Sequence, residues 1–87
     1  MDQSVIKAMV EKYMNEKLEE IKIALAAENF QELKSLGHKV KGNSGSLALG
    51  LTEINELGRV LEVNGGENNL APCQEAYTKL TQIIGDL

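Results

Sequence analysis

Apolar residues recur every three or four positions along most of the chain, which is the pattern of amphipathic helices. The first such stretch runs from Ser4 to about Glu28. Its apolar positions are Val5, Ile6, Met9, Val10, Tyr13, Met14, Leu18, Ile21 and Leu25. This spacing fits either one long helix or two helices with a bend near residues 13–15.

A second apolar stripe begins after the segment ENFQEL at residues 28–33. Asn29 is a predicted N-cap, and Glu32 stands three residues later, where a capping box has its acidic residue. The stripe consists of Phe30, Leu33, Leu36, Val40, Ser44 and Leu47. Because it continues past Gly42 and Gly45, the pattern predicts one helix that passes through these glycines.

Two further helices are predicted in the C-terminal half, at residues 52–63 and 70–84. Between them, NGGENN at residues 64–69 is a predicted loop, since Gly-Gly flanked by Asn favours turns. Pro72 is tolerated in the first turn of the last helix. The inward positions are Ile54, Leu57 and Leu61 in the first helix, and Leu70, Cys73, Tyr77, Leu80 and Ile84 in the second.

These stretches predict an all-α fold, an antiparallel four-helix bundle with an additional N-terminal helical segment, forming a single domain over residues 1–87. Strand-favouring runs are missing from the sequence. Aromatic residues make up only 3% of the chain, so aliphatic side chains are expected to fill the core. The initial methionine and the lack of linker composition favour a free-standing protein, although an excised domain of a hybrid kinase would look the same.

Charge and composition exclude several function classes. The net charge of −4 argues against a nucleic-acid surface. No apolar run of about 18 residues is present, so no membrane span is predicted. The N-terminus lacks the features of a signal peptide, and a single cysteine, Cys73, fits a cytoplasmic protein. One histidine and one cysteine are too few for a structural zinc site.

The only histidine lies on an unusual helix face. On a wheel of about 100° per residue, His38, Gly42 and Gly45 fall opposite the apolar stripe. An interior glycine costs roughly 1 kcal/mol relative to alanine. We therefore expect an exposed imidazole on a bare strip of helix that another molecule can approach closely. Gly37, at the edge of the stripe, is expected to admit a neighbouring helix.

The same region is the basic part of an acidic chain. Between Leu33 and Thr52 there are three lysines and no acidic residue, so this window carries +3 and the rest of the chain −7. Lys34 precedes His38 by four residues and Lys41 follows it by three, so both can lie beside the ring. An exposed imidazole in positive surroundings suits a transient covalent anion, of which phosphate is the obvious choice.

The segment HKVKGNSGSLALG at residues 38–50 resembles the motif of histidine-containing phosphotransfer (HPt) domains. The shared features are a lysine three residues after the histidine, a glycine four residues after it, and small residues beyond. The next segment, GLTEINELGRVLE at residues 50–62, resembles the helix that follows in the family. The likeness covers about residues 18–87.

The resemblance implies a bundle that relays phosphoryl groups between aspartates of response-regulator receiver domains, in a pathway that includes a (hybrid) histidine kinase. His38 corresponds to the phosphorylated histidine, Lys41 to the lysine near the phosphate, and Gly42 to the glycine that lets the receiver approach. The remaining docking candidates are Gly45, Lys34 and Lys39. Since the receiver supplies Mg²⁺ and the aspartate, the chain is expected to be a carrier without a cofactor, and not an enzyme.

The sequence departs from the family pattern at the end of this segment. Ala48 stands ten residues after His38, where the family commonly has glycine, and Gly50 follows two residues later. Either the helix is longer by two residues or the turn differs. In the family a polar residue of the next helix often hydrogen-bonds the imidazole. Allowing for the two-residue shift, Glu62 is the nearest candidate and Arg59 the second.

Three other interpretations of the sequence are possible. A docking module would keep the bundle and bind receivers or kinases without transferring phosphate, but the presence of His38, Lys41 and Gly42 favours transfer. A phosphate-cradling loop at residues 42–46 would need Gly-Lys-Ser/Thr and a preceding strand, which are missing. A metal or haem bundle would need several inward histidines or glutamates.

Overall fold

The computed structural model describes residues 2–87, and within this range the chain forms helices and no strand. The helices are α1 (Gln3–Ala26), α2 (Phe30–Lys41), α3 (Ser44–Ala48), α4 (Thr52–Gly66) and α5 (Leu70–Gly85). Helices α1, α2, α4 and α5 pack in this order around a bundle, with α1 closing the ring against α5. The predicted all-α four-helix bundle is confirmed, and its N-terminal helical segment is continuous with α1.

The core lies on the axis of the bundle and is almost entirely aliphatic. Its buried apolar residues are Val10, Met14, Leu18, Ile21, Ala24, Leu33, Leu36, Val40, Ile54, Leu57, Leu61, Cys73, Ala76, Leu80 and Ile84. Helix α1 has 24 residues and runs the length of a molecule whose longest dimension is 39 Å. The end of α2 meets α1 at Tyr13, and α3 packs on α1 near Ile6 and Val10. No helix within residues 2–87 is long and apolar enough to cross a membrane.

Helices α2 and α4 touch backbone to backbone, because three glycines line their contact. A Cβ atom on Gly37 of α2 would lie 2.7 Å from the carbonyl oxygen of Gly58. A Cβ atom on Gly58 would lie 2.8 Å from the carbonyl carbon of Val40, and one on Gly65 would lie 2.6 Å from the amide nitrogen of Lys34. The prediction that Gly37 admits a neighbouring helix is confirmed.

The prediction of one helix through Gly42 and Gly45 is wrong. Helix α2 ends at Lys41, Gly42 is its C-cap, and Asn43 has extended backbone angles (φ −67°, ψ 109°). The Asn43 side chain then caps α3, because its Oδ1 accepts hydrogen bonds from the amides of Gly45 and Ser46. This local capping outweighs the continuity of the apolar stripe.

The break changes which residues face inward. Ser44 and Leu47, predicted to continue the stripe, are exposed. Ser46 is fully buried instead, and Gly45 faces α1, where an added Cβ would lie 2.8 Å from a methyl carbon of Val10. Gly45 therefore does not share the solvent face of His38, and packing against α1 accounts for it. Gly50 ends the α3 turn in the left-handed region, with φ +76°.

A buried asparagine of α4 holds the end of α2. Asn55 donates through Nδ2 to the carbonyl oxygens of Lys41 (3.0 Å) and Asn43 (2.9 Å). Its Oδ1 accepts a hydrogen bond of 2.9 Å from the hydroxyl of Ser46. Carbonyl groups at a helix end lack partners within the helix. Asn55 thus satisfies the groups that the break leaves unpaired and fixes the last turn of α2 against α4.

Two further predictions needed correction. The NGGENN segment was predicted as a loop, but α4 continues through Gly66, so that only residues 67–69 connect it to α5. The reason is that Gly65 is buried against the backbone of α2. In α1, Val5 and Met9 belong to the predicted apolar stripe but are exposed, and Met9 lines an open groove between α1 and the turn from α2 to α3.

Replacement of Gly58 by alanine should destabilise the fold by about 1–3 kcal/mol, because the methyl group collides with the backbone of α2, which cannot move aside as a side chain would. Urea unfolding followed by circular dichroism measures this. Gly66→Ala is the matched control, since its nearest neighbour would be a side-chain carbon of Lys34 at an ordinary 3.6 Å. Equal stability of the two variants would contradict the close contact.

Replacement of Asn55 by alanine should cost about 1–3 kcal/mol, because it removes the side-chain donor to the part-buried carbonyl oxygen of Lys41 and one of the two donors to that of Asn43. Amide hydrogen exchange in residues 42–46 should also become faster, since the turn between α2 and α3 loses its anchor. Asn15→Ala, at an exposed position of α1, is the control. Unchanged exchange in that turn would show that Asn55 does not hold it.

Candidate functional site

The imidazole of His38 lies in the last turn of α2, on the side that faces α4. Its side chain is 70% exposed, so the prediction of an exposed histidine is confirmed. The backbone contact at Gly37 and Gly58 brings α4 close enough for a side chain of that helix to reach the ring. One side of the ring therefore lies against α4, and the rest is exposed to solvent.

One carboxylate of α4 binds both His38 and Lys41. Glu62 Oε2 lies 2.7 Å from His38 Nδ1, and Glu62 Oε1 lies 2.6 Å from Lys41 Nζ. The Glu62 side chain is only 20% exposed, whereas Lys41 is 42% exposed. Glu62 is thus the polar partner of the imidazole. Arg59, the second candidate, pairs instead with Glu56 on its own helix.

These contacts keep Glu62 ionised. The hydrogen bond from Lys41, followed by the one from His38, holds the pKa of Glu62 below its usual value. An ionised carboxylate has only acceptor atoms. In the neutral ring the proton therefore belongs on Nδ1, where it is donated to Glu62. The lone pair is then on Nε2, at the opposite edge of the ring.

The other two predicted lysines, Lys34 and Lys39, do not pair with Glu62. The stem of Lys34 passes over Gly66 at the end of α4, 3.6 Å from where a Cβ atom would be. The carbonyl oxygen of Lys39 accepts a hydrogen bond of 3.4 Å from the hydroxyl of Tyr13 on α1. Within residues 2–87 neither Lys34 nor Lys39 forms an ion pair. Lys41 alone among the predicted cations reaches the histidine's partner.

An open groove lies between α1 and the turn from α2 to α3. Its volume is about 600 Å³, and its lining is mostly apolar. Ile6, Met9, Val10 and Tyr13 form the α1 side; Lys39, Gly42, Asn43, Ser44, Gly45 and Ala48 form the other. Gly42 is exposed, and an added Cβ would meet only carbonyl oxygens of its own helix, the nearest at 3.6 Å. Gly42 and Gly45, both predicted docking residues, thus line one surface.

Sequence reasoning missed two contributors to this arrangement. Asn55 gave no signal beyond being a polar residue beside the inward stripe of its helix, and its role depends on where α2 ends. Tyr13 was assigned to the apolar stripe, yet its hydroxyl binds the backbone of α2. Both act on the backbone of another helix, which periodicity along one helix does not reveal.

Comparison with known proteins agrees with the geometry. Searches of curated proteins and of solved structures gave no match. A family model described as the Hpt domain matches residues 5–87, nearly the whole chain. Hpt domains are phosphocarrier modules that work with receiver domains and histidine kinases in phosphorelays. On the strength of this match, and with an exposed histidine, its lysine and its acidic partner on the corresponding helices, the chain belongs to the Hpt domain family.

Proposed function

We propose that the chain carries a phosphoryl group on Nε2 of His38, between the aspartate of one receiver domain and that of another. The observation that supports this most is the pairing of Nδ1 with Glu62, because it leaves the Nε2 lone pair on the exposed edge of the ring. A neutral imidazole nitrogen is a good nucleophile near pH 7. Family membership supports the same chemistry.

The transfer step is an in-line displacement at phosphorus. The Nε2 lone pair attacks the aspartyl phosphate, a bond forms between phosphorus and Nε2, and the bond to the carboxylate oxygen breaks. The bonding electrons stay with the aspartate. The receiver would supply this aspartate and the Mg²⁺ that neutralises the phosphoryl oxygens, so the chain serves as a carrier and not as a catalyst.

Gly42 and the groove beside it form the proposed docking surface for the receiver. A receiver's phosphorylation pocket is acidic, and Lys34, Lys39 and Lys41 make the helix that carries the histidine the basic part of the chain. Opposite charges steer association and fix the register of two surfaces. The missing side chain at Gly42 lets the receiver's loops come within reach of Nε2, while apolar groups of the receiver fit the groove.

His38→Gln should abolish acceptance of phosphate from a radiolabelled, phosphorylated receiver domain, because glutamine has no nucleophilic nitrogen. Its circular-dichroism melt should stay near that of the wild type, since the side chain is mostly exposed. Label on the wild type should be lost in acid and retained in alkali, as expected of phosphohistidine. Receiver binding without any transfer, across a panel of receivers, would instead identify a docking module.

Gly42→Gln should slow transfer about tenfold or more, equivalent to a loss of about 1.4 kcal/mol in the productive complex, because the longer side chain occupies the approach path. Gly42→Ala should transfer at nearly the wild-type rate, since its methyl group has ordinary room. Gly85→Gln, at the end of α5, makes the same change away from the site. Equal rates for Gly42→Gln and Gly85→Gln would exclude docking over Gly42.

A further inference from the structure

The backbone that follows His38 is held by side chains of two other helices. Carbonyl oxygens in the last turn of a helix lack partners within that helix. The carbonyl oxygen of Lys39 accepts a hydrogen bond of 3.4 Å from the Tyr13 hydroxyl of α1. That of Lys41 accepts a hydrogen bond of 3.0 Å from Asn55 Nδ2 of α4. The last turn of α2 is therefore tied to α1 on one side and to α4 on the other.

Asn55 is the stronger of these two ties, because both ends of its amide group are used. Its Nδ2 also donates to the carbonyl oxygen of Asn43 at 2.9 Å, and its Oδ1 accepts from the Ser46 hydroxyl at 2.9 Å. Asn55 is only 8% exposed and Ser46 is fully buried. Hydrogen bonds that are shielded from water in this way are strengthened. Together with the bond to Lys41, they fix the chain at the end of α2, in the turn and in α3.

The segment that Asn55 fixes is one wall of the groove between α1 and the turn from α2 to α3. Helix α3 has only five residues, which is too short for a helix to be stable by itself. Gly42, which precedes it, has no side chain to restrict its backbone. The shape of this wall therefore depends on bonds from outside it. Asn55 supplies them from the α4 side and is not among the residues that line the groove.

We infer that Asn55 is a positioning residue for receiver docking, because it holds the wall of the groove in one shape before the receiver arrives. The inference rests on the proposed carrier function and deepens it. A segment that becomes ordered only on binding loses conformational entropy, and this loss weakens affinity. Asn55 acts through the backbone of the turn and does not touch the ring of His38. Its loss should therefore weaken docking and leave the reactivity of Nε2 nearly unchanged.

The first measurement is binding of an unphosphorylated receiver domain by isothermal titration calorimetry. The receiver is the member of a panel that binds the wild type most tightly. Asn55→Ala should raise the Kd about tenfold or more, because the receiver must then order the turn. Amide hydrogen exchange in residues 42–46 should be faster in the free variant than in the free wild type. In the complex it should return towards the wild-type rate.

The second measurement uses phosphoramidate, a small phosphoryl donor that needs no docking. In its zwitterionic form, phosphorus gains a bond to Nε2 of His38 while its own P–N bond breaks and the electron pair leaves with ammonia. The rate of this reaction reports the histidine alone. Asn55→Ala should be phosphorylated within about twofold of the wild-type rate, because a lost docking contact affects binding and not the chemical step.

Two control variants separate the donor group of Asn55 from its volume and from overall stability. Asn55→Asp keeps an acceptor oxygen for Ser46 and replaces the donor group by a second oxygen, so it should weaken binding at least as much as Asn55→Ala. Cys73→Ala removes a buried side chain of α5, which packs on α1 and α4. This variant should bind the receiver as the wild type does.

An unchanged Kd in Asn55→Ala or in Asn55→Asp would overturn the inference. An equal rise in Cys73→Ala would also overturn it, because lower stability alone would then explain the effect. Equal losses of receiver binding and of phosphoramidate reactivity would overturn it as well, since Asn55 would then act on His38. Failure of the wild type to take up phosphate from either donor would overturn the carrier function, while the binding measurements would still decide the role of Asn55.

Discussion

The close contact between α2 and α4 is the constraint on which the site depends. Gly37, Gly58 and Gly65 let the two backbones touch, and no ordinary side chain fits between them. Glu62 can reach the ring of His38 because α4 is this near. With larger residues at the contact the helices would stand farther apart, and a histidine on α2 would be an ordinary exposed imidazole. The hydrogen bond between Glu62 and His38 therefore depends on the missing side chains at the contact of the two helices.

The carboxylate of Glu62 has two roles at this contact. It selects the ring nitrogen that carries the proton, and it offsets the charge of Lys41. Both bonds favour its ionised form and lower the pKa of Glu62, which is why the tautomer is fixed near neutral pH. Because each bond uses a different oxygen, one can be released without loss of the other. A neutral amide at this position would lack the charge that pairs with Lys41, and a shorter acid would not reach both His38 and Lys41.

Much of this was predictable from the sequence, and the failures have a common physical cause. Periodicity and charge predicted the bundle and the exposed face of His38, because these depend on one helix at a time. The helix through Gly42 was wrong because the asparagine cap and the bonds from Asn55 come from outside the stripe. The loop predicted at Gly65 is helical because a neighbouring backbone requires glycine there. Glycine marks a close approach at Gly65, and the sequence did not show which helix lies against it.

The contacts that hold α2 on both sides of His38 also bear on how a partner would recognise a modified His38. Helix α2 is held against α4 at Gly37, directly before the histidine. It is held again after the histidine, where Asn55 binds the carbonyl oxygens of Lys41 and Asn43. These contacts favour a bundle whose outline stays the same when His38 is modified. If His38 carries a phosphoryl group as proposed, a partner would distinguish the phosphorylated protein from the unmodified one chiefly by the charge at this surface. Under the proposed carrier function, the same face would be offered to a donor and to an acceptor in turn, and the difference in affinity between the two states of His38 would be electrostatic and would weaken with salt.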